Sequence, residues 1–332
     1  MRLGPGLALL GLAGLAAASP VYAQEPVEWH GYAQLRFTDG SDSSSFSIRR
    51  AKAWVEGTVP GVTHLHFRMQ ALFRPASGGA LVLQDVYAEY RGGLATVRAG
   101  QMVPDFGLER SQPDYQIPLI ERASAINTLI PSAATLARDM GAQVTFGPPQ
   151  GAWHASAGVF NGNGANHAAN EDRKFLSTAR VTYTAHVSPG VAWEVGGSAA
   201  YRRTAGLDLS GILGAAGTRF AGSDTRWGLE TRVAGPRWQD QAEYLHARLD
   251  SASAWGWYAL AAYSVTATDQ VVASCEQLRV PNAALGGDPW YILAFNHFIA
   301  GDRAKVMLDG RARFASARTD YQAAAQLQVF FR

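Results

Sequence analysis

One cysteine in 332 residues, Cys275, excludes an intrachain disulfide, so no sulfur framework holds this chain. Lysine is nearly missing: Lys52, Lys174 and Lys305 stand against 26 arginines among the 29 basic residues. Arginine is favoured where a planar, permanently charged donor fork is wanted. Neither sign of charge dominates, with 29 Lys+Arg against 27 Asp+Glu, so bulk charge predicts no nucleic-acid partner. There is no composition break, no Pro/Ser linker and no switch to helical periodicity that would divide the chain into soluble domains. Catalytic and nucleotide fingerprints are missing too: no G-x-S-x-G, no Walker loop and no dinucleotide motif.

What is present begins with an address. Arg2, the apolar run Gly6–Ser19 and Val21-Tyr22-Ala23 read as a secretory signal peptide over residues 1–23, cut after Ala23 to leave Gln24 first. The run is short for a membrane anchor, which needs roughly 20 residues. Arg2 is its only charge, so residues 24–332 carry 28 basic against 27 acidic groups.

The rest of the chain alternates. Trp29-Gly31-Ala33-Leu35-Phe37 is one apolar face, and Leu65-Phe67-Met69-Ala71-Phe73 is another, with His64, His66, Arg68 and Gln70 on its reverse. Similar faces are Met140 to Phe146, Trp153 to Val159, Trp193 to Tyr201, Trp227 to Val233, Trp255 to Val265, Trp290-Ile292-Ala294, Ala304 to Phe314 and Tyr321 to Phe331. A period of two is the strand signature. Strands of about 10–13 residues exceed the soluble mode of about 5–6 and suit a tilted bilayer crossing of roughly 9–11 residues. Many begin or end on Trp or Tyr, among them Trp29, Tyr90, Trp153, Tyr263 and Tyr321, as an interfacial girdle requires.

The reverse faces carry too much charge for a dry core. Arg50, Lys52 and Glu56 share one such face, as do Arg226, Glu230 and Arg232, and Lys305, Asp309, Arg311 and Arg313. Burying such groups unpaired costs several kcal/mol per ion, whereas a wet lumen avoids that cost. The expected fold is therefore all-β: a transmembrane antiparallel β-barrel over residues 24–332. Fifteen strands are clear and one near Val271 to Val280 is weak; even strand numbers in such barrels make the count sixteen.

From Val103 to Arg138 alternation stops. Four prolines and a short apolar segment, Ala123 to Leu129, mark a long functional loop rather than a disordered one. In a barrel this wide it has room to fold inward, so residues 103–138 read as a constriction loop. It brings Arg110, Arg122 and Arg138 along with Asp105, Glu109, Glu121 and Asp139.

Seven stretches now resemble a known family: "FSIRRAKAWVEG" (46–57), "LQDVYAEY" (83–90), "VRAGQMVPDFGLERS" (97–111), "IERASA" (120–125), "GVFNGNG" (158–164), "QAEYLHARL" (241–249) and "YQAAAQLQVFF" (321–331). Their order is similar to that of the phosphate-selective porins O and P of Gram-negative outer membranes. The resemblance implies a homotrimeric, sixteen-stranded channel in the cell outer membrane, in contact with its lipid. It also implies passive passage of small anions, phosphate or polyphosphate among them, with arginines laddered toward the third long loop and lysines near the binding zone. The candidate anion-binding residues are Arg50, Lys52 and Arg98 on strands and Arg110, Arg122 and Arg138 in or beside the loop. Three lysines cannot form a lysine cluster, so arginine has to supply the field; rings of either residue select anions. The resemblance also gives Phe331 the place of the terminal aromatic by which such barrels are recognised for insertion, with Arg332 after it.

Other motifs weigh little. His64 and His66 share a strand face without a third ligand, and "DGSDSSS" (39–45) lacks the spaced acids of a calcium loop and reads as a hairpin connection. No metal and no cofactor are expected. His154 and Ser156 on one face leave a barrel enzyme as a rival, alongside a general non-selective porin and a non-conducting adhesion or assembly barrel.

Overall fold

The computed structural model describes residues 27–331 apart from 75–79, 149–150, 168, 171, 214–218, 282–286 and 316–318. Residues 1–23 and Arg332, which carry the signal-peptide and chain-end expectations, lie outside the described residues. Period-two stretches become sixteen strands: β1 (Glu28–Gly40), β2 (Ser44–Thr58), β3 (Leu65–Arg74), β4 (Ala80–Arg91), β5 (Ala95–Met102), β6 (Asp139–Phe146), β7 (Trp153–Phe160), β8 (Leu176–Ser188), β9 (Val191–Asp208), β10 (Arg219–Ala234), β11 (Trp238–Leu249), β12 (Ala252–Ser264), β13 (Asp269–Arg279), β14 (Trp290–Phe298), β15 (Ala304–Phe314) and β16 (Thr319–Phe331). Each pairs antiparallel with its sequence neighbours, and β16 returns to β1 with Gly31 opposite Phe331 and Leu35 opposite Leu327. Closure matters because an open edge in lipid leaves backbone groups unsatisfied. At the seam a Cβ on Gly31 would lie 2.1 Å from the Phe331 ring, so the aromatic covers bare backbone that only glycine provides.

The longest connections share one rim. Residues 103–138, 161–175, 209–218 and 280–289 join strands at the long-loop rim; 92–94, 189–190 and 235–237 are turns at the other. The "DGSDSSS" stretch is a hairpin, closed by the Gly40 N–H donating to Ser43 O at 3.0 Å.

Outward side chains form an apolar band with aromatic ends, including Trp29, Trp153, Leu229, Leu293 and Tyr321, all exposed. One expected face is reversed. On β14 the outward residues are Tyr291, Leu293 and Phe295, whereas Ile292 and Ala294 are buried inside, 2% and 8% exposed. The reason is that this part of the interior wall is apolar as well. Loop residues Leu119, Ile126, Leu129 and Ile130 pack against Leu245, Ala254, Leu260, Val272 and Ile292 in one cluster. Each fully buried aliphatic contributes about 2 kcal/mol. The loop thus packs toward β9–β14, and the open space lies along β1–β8.

Two strand irregularities aim extra polar groups inward. Between β1 and β2 the register skips from Gln34–Arg50 to Leu35–Ile48, leaving Arg49 as a bulge residue. Between β3 and β4 it skips from Gln70–Asp85 to Ala71–Leu83, leaving Gln84 extra. A bulge re-aims the side chain at its kink. Here it lets Arg49 join Arg50, and Gln84 join Asp85, on the inner side.

Candidate functional site: a one-sided cationic passage

The loop is seated by side chains from far around the barrel. It contains α1 (Leu108–Ser111), α2 (Ser124–Leu129) and a single 3₁₀ turn, Ala133–Thr135. Glu243 of β11 accepts from the backbone N–H groups of Leu108 (2.9 Å) and Glu109 (2.5 Å), and from the Tyr258 hydroxyl (2.7 Å). Gly107 (φ +81°) makes that approach possible, since a Cβ there would lie 2.8 Å from the Glu243 carboxylate. Glu276 accepts from Ser124, Asn296 donates to Pro118 O (2.8 Å), and Arg226 donates to Leu129 O (2.9 Å) and Ile130 O (2.6 Å). Lys305 donates to Tyr115 O (2.8 Å), and Gln328 does so at 3.2 Å.

Between this loop and β1–β8 remains a cavity of about 840 Å³. Its lining holds eight Lys/Arg side chains against four Asp/Glu, with Lys52, Arg98, Arg110, Arg122, Arg138 and Arg180 among the cations. A larger concavity of about 1010 Å³ lies on the outer wall among small residues such as Ala259, Ala273 and Gly310. It lacks the interior's cluster of cations, so the 840 Å³ cavity is the candidate site.

The charges form a sequence of hubs. Nearest the short-turn rim, Glu89 takes Arg91 (2.7 Å) and Arg98, and Arg68 pairs with Glu56 (2.6 Å). Arg98 also stacks over Tyr87, 4.3 Å from the ring centre. At mid-barrel Asp114 is gripped by Lys52, by Arg122 (2.8 Å) and more loosely by Arg50 (3.8 Å). Arg138 forks onto Asp85 at 3.1 and 3.2 Å. Toward the long-loop rim Glu121 collects Arg36 (2.5 Å), Arg50 (3.1 Å) and Arg49. Burial alone would raise the two loop carboxyls. Instead, Lys52, Arg122 and Arg50 hold Asp114 well below the usual carboxylate range, and Arg50, Arg49 and Arg36 bring Glu121 to about 2.

The six candidates therefore meet in one cavity wall or just behind it, with different duties. Arg122 is 4% exposed and bonds Glu109 O, Gln112 O (2.5 Å) and Asp114, so it staples the loop to itself. Arg98, Arg138 and Lys52 each hold one carboxylate, and Arg50 bridges two. Arg110 differs: among the described residues its Nε has no partner, and its one bond, to Leu136 O, is long at 3.5 Å. Burial, with Arg138 and Arg122 beside it, pushes Arg110 down, but a guanidinium remains charged at neutral pH. Sequence reasoning missed Arg36, Arg49 and Arg180 as contributors and Asp114 as a hub. Arg49 was hidden because strict alternation points it outward; nothing in a loop sequence marks Asp114.

His154 and Ser156 also face inward. Ser156 Oγ donates to Asp105 Oδ2 (2.7 Å), His154 Nε2 lies 3.4 Å from the same oxygen, and Arg180 takes the other (3.0 Å). The serine is bonded to the carboxylate and not to the imidazole, so the histidine does not activate it. Among the described residues no group of three His, Cys, Asp or Glu is placed to hold a metal ion.

The family description "phosphate-selective porin O and P" matches residues 29–272. No curated protein sequence matches the chain. Solved structures share the fold at low identity. A loop-deletion form of OmpT, an outer membrane protein of Vibrio cholerae, is 12% identical, with a TM-score of 0.65 over 92% of this chain and 99% of that one. OmpF of Salmonella typhi in complex with daunomycin is 14% identical, with a TM-score of 0.63 over 92% and 97%. Trimeric, in-vitro folded OmpT of V. cholerae is 10% identical, with a TM-score of 0.60 over 93% and 100%. With more than half its length matched and the sixteen strands closed, this chain belongs to the phosphate-selective porin O and P family.

Proposed function

We propose that this outer-membrane porin passes small anions by passive diffusion along a one-sided passage, narrowed by residues 103–138. The observation that carries the reading is the twofold excess of fixed cations in the cavity lining, eight against four. A wet lumen with net positive walls raises the local anion concentration and repels cations. Passage also requires release, and paired arginines supply a field without a deep well. The near absence of lysine leaves arginine as the carrier of that field, with Lys52, Arg98, Arg110, Arg122 and Arg138 lining the passage and Arg50 behind them, held to Asp114 and Glu121. Phosphate is among the solutes the passage would admit.

The same reading includes export through residues 1–23 and assembly as a homotrimer, supported by the family and by the trimeric form of a structural neighbour. Proteoliposomes carrying the protein should take up a small carboxylate or inorganic phosphate faster than an amine cation of equal size. Equal rates would favour a non-selective pore and end the anion reading.

A further inference from the structure

The mid-barrel hub has a feature that a simple cationic ring lacks. Its centre is already filled by a carboxylate of the chain itself. Asp114 Oδ1 takes Arg122 Nη2 at 2.8 Å and Nε at 3.1 Å, Oδ2 takes Lys52, and Arg50 Nε stands 3.8 Å away. This donor set, two guanidinium forks and an ammonium, is what recognises a tetrahedral oxyanion. The backbone is held on both flanks of Asp114: Gln112 O by Arg122, and Tyr115 O by Lys305 (2.8 Å) and Gln328 (3.2 Å). Two further donors line the same cavity without acceptors. Among the described residues the Tyr32 hydroxyl, on a side chain 2% exposed, has no partner, and neither has Arg110 Nε. A buried donor left unmade costs about 1–3 kcal/mol, so both mark places where an acceptor is wanted.

We propose that Asp114 is a tethered occupant of an oxyanion site, and that its carboxylate keeps permeating phosphate from being retained at Lys52, Arg50 and Arg122. The idea rests on the anion-passage reading above and adds the residue that sets binding strength within it. In the native pore a phosphate dianion meets donors already satisfied, and it passes beside Asp114. With the carboxylate neutralised, Lys52 loses its counter-ion and Arg122 and Arg50 each lose one acceptor, Arg50 keeping Glu121; these donors, joined by Tyr32 and Arg110, then hold the ion.

The test uses the full-length protein in planar bilayers, with inorganic phosphate added to a chloride current. Asp114→Asn keeps the shape and the backbone anchors while removing the charge. The expected result is a saturable phosphate block at a concentration at least tenfold below any seen in the unchanged protein. Lys52→Gln added to Asp114→Asn should abolish that block. An Asp114→Asn pore with unchanged phosphate response overturns the proposal, as does a block that survives loss of Lys52. Reversal potentials recorded in the same membranes separate the two levels. A cation-sign potential in the unchanged protein would sink the anion reading itself, whereas anion sign with no new block sinks only the role given to Asp114.

Discussion

Arg110 offers the cleanest single perturbation of the passage. Among the candidate cations it has no ion-pair partner among the described residues, and it makes one long bond to Leu136 O at 3.5 Å. Replacing it with Gln therefore removes charge with little loss of structure. A unit charge roughly 6 Å from a passing chloride, in a water-like dielectric, is worth about 0.7 kcal/mol. That corresponds to about a threefold change in local anion occupancy, and more where the wall lowers the dielectric. The chloride-to-potassium permeability ratio of Arg110→Gln should fall at least about threefold. Salt has to be kept near or below about 0.1 M, where screening extends over about 10 Å. Arg122→Gln is the contrasting variant, because it removes the bonds to Glu109 O and Gln112 O and should unseat the loop. A ratio unchanged in Arg110→Gln, with the loop still seated, would refute the assignment of the field to this wall.

Two predictions concern the loop's seat. Glu243→Ala leaves the Leu108 and Glu109 N–H groups and the Tyr258 hydroxyl without their acceptor, at about 1–3 kcal/mol each. Larger, noisier conductance and proteolytic cleavage within 103–138 should follow; conductance and protease resistance like the parent's would contradict the seating described. Glu109 supplies a pH dependence. Burial, reinforced by Glu243 and opposed by Arg122, pushes its carboxyl up to about 8. Seating the loop therefore takes up a proton at any pH between its ordinary value, near 4.5, and 8. Seating weakens as pH rises through that window, by about 1.4 kcal/mol per unit. Current fluctuations should be greater at pH 8.5 than at pH 5.5, and the opposite order would refute the assignment.

Strand positions were legible because lipid on one side and water on the other impose a period of two along nearly every strand. The rule failed on β14, where Ile292 and Ala294 meet an apolar loop inside while Leu293 and Phe295 face out. With both faces apolar, periodicity carries no sign. It failed again at Arg49, where an extra residue in β2 shifts the phase. The loop's existence could be read from its prolines and its inward course from the width of the barrel, but the wall it packs against could not. Its apolar residues match a wall formed by strands more than a hundred positions further on, such as Leu245 and Val272. Asp114 illustrates the limit: its place among Lys52, Arg50 and Arg122 arises only when loop and strands are brought together.

The central claim is that fixed arginine charge makes this a passage for anions. It is tested most directly by the zero-current potential of the unmodified protein in a planar bilayer under a tenfold potassium chloride gradient. Chloride flowing ahead of potassium should leave the dilute side negative. A dilute side that becomes positive would contradict the account.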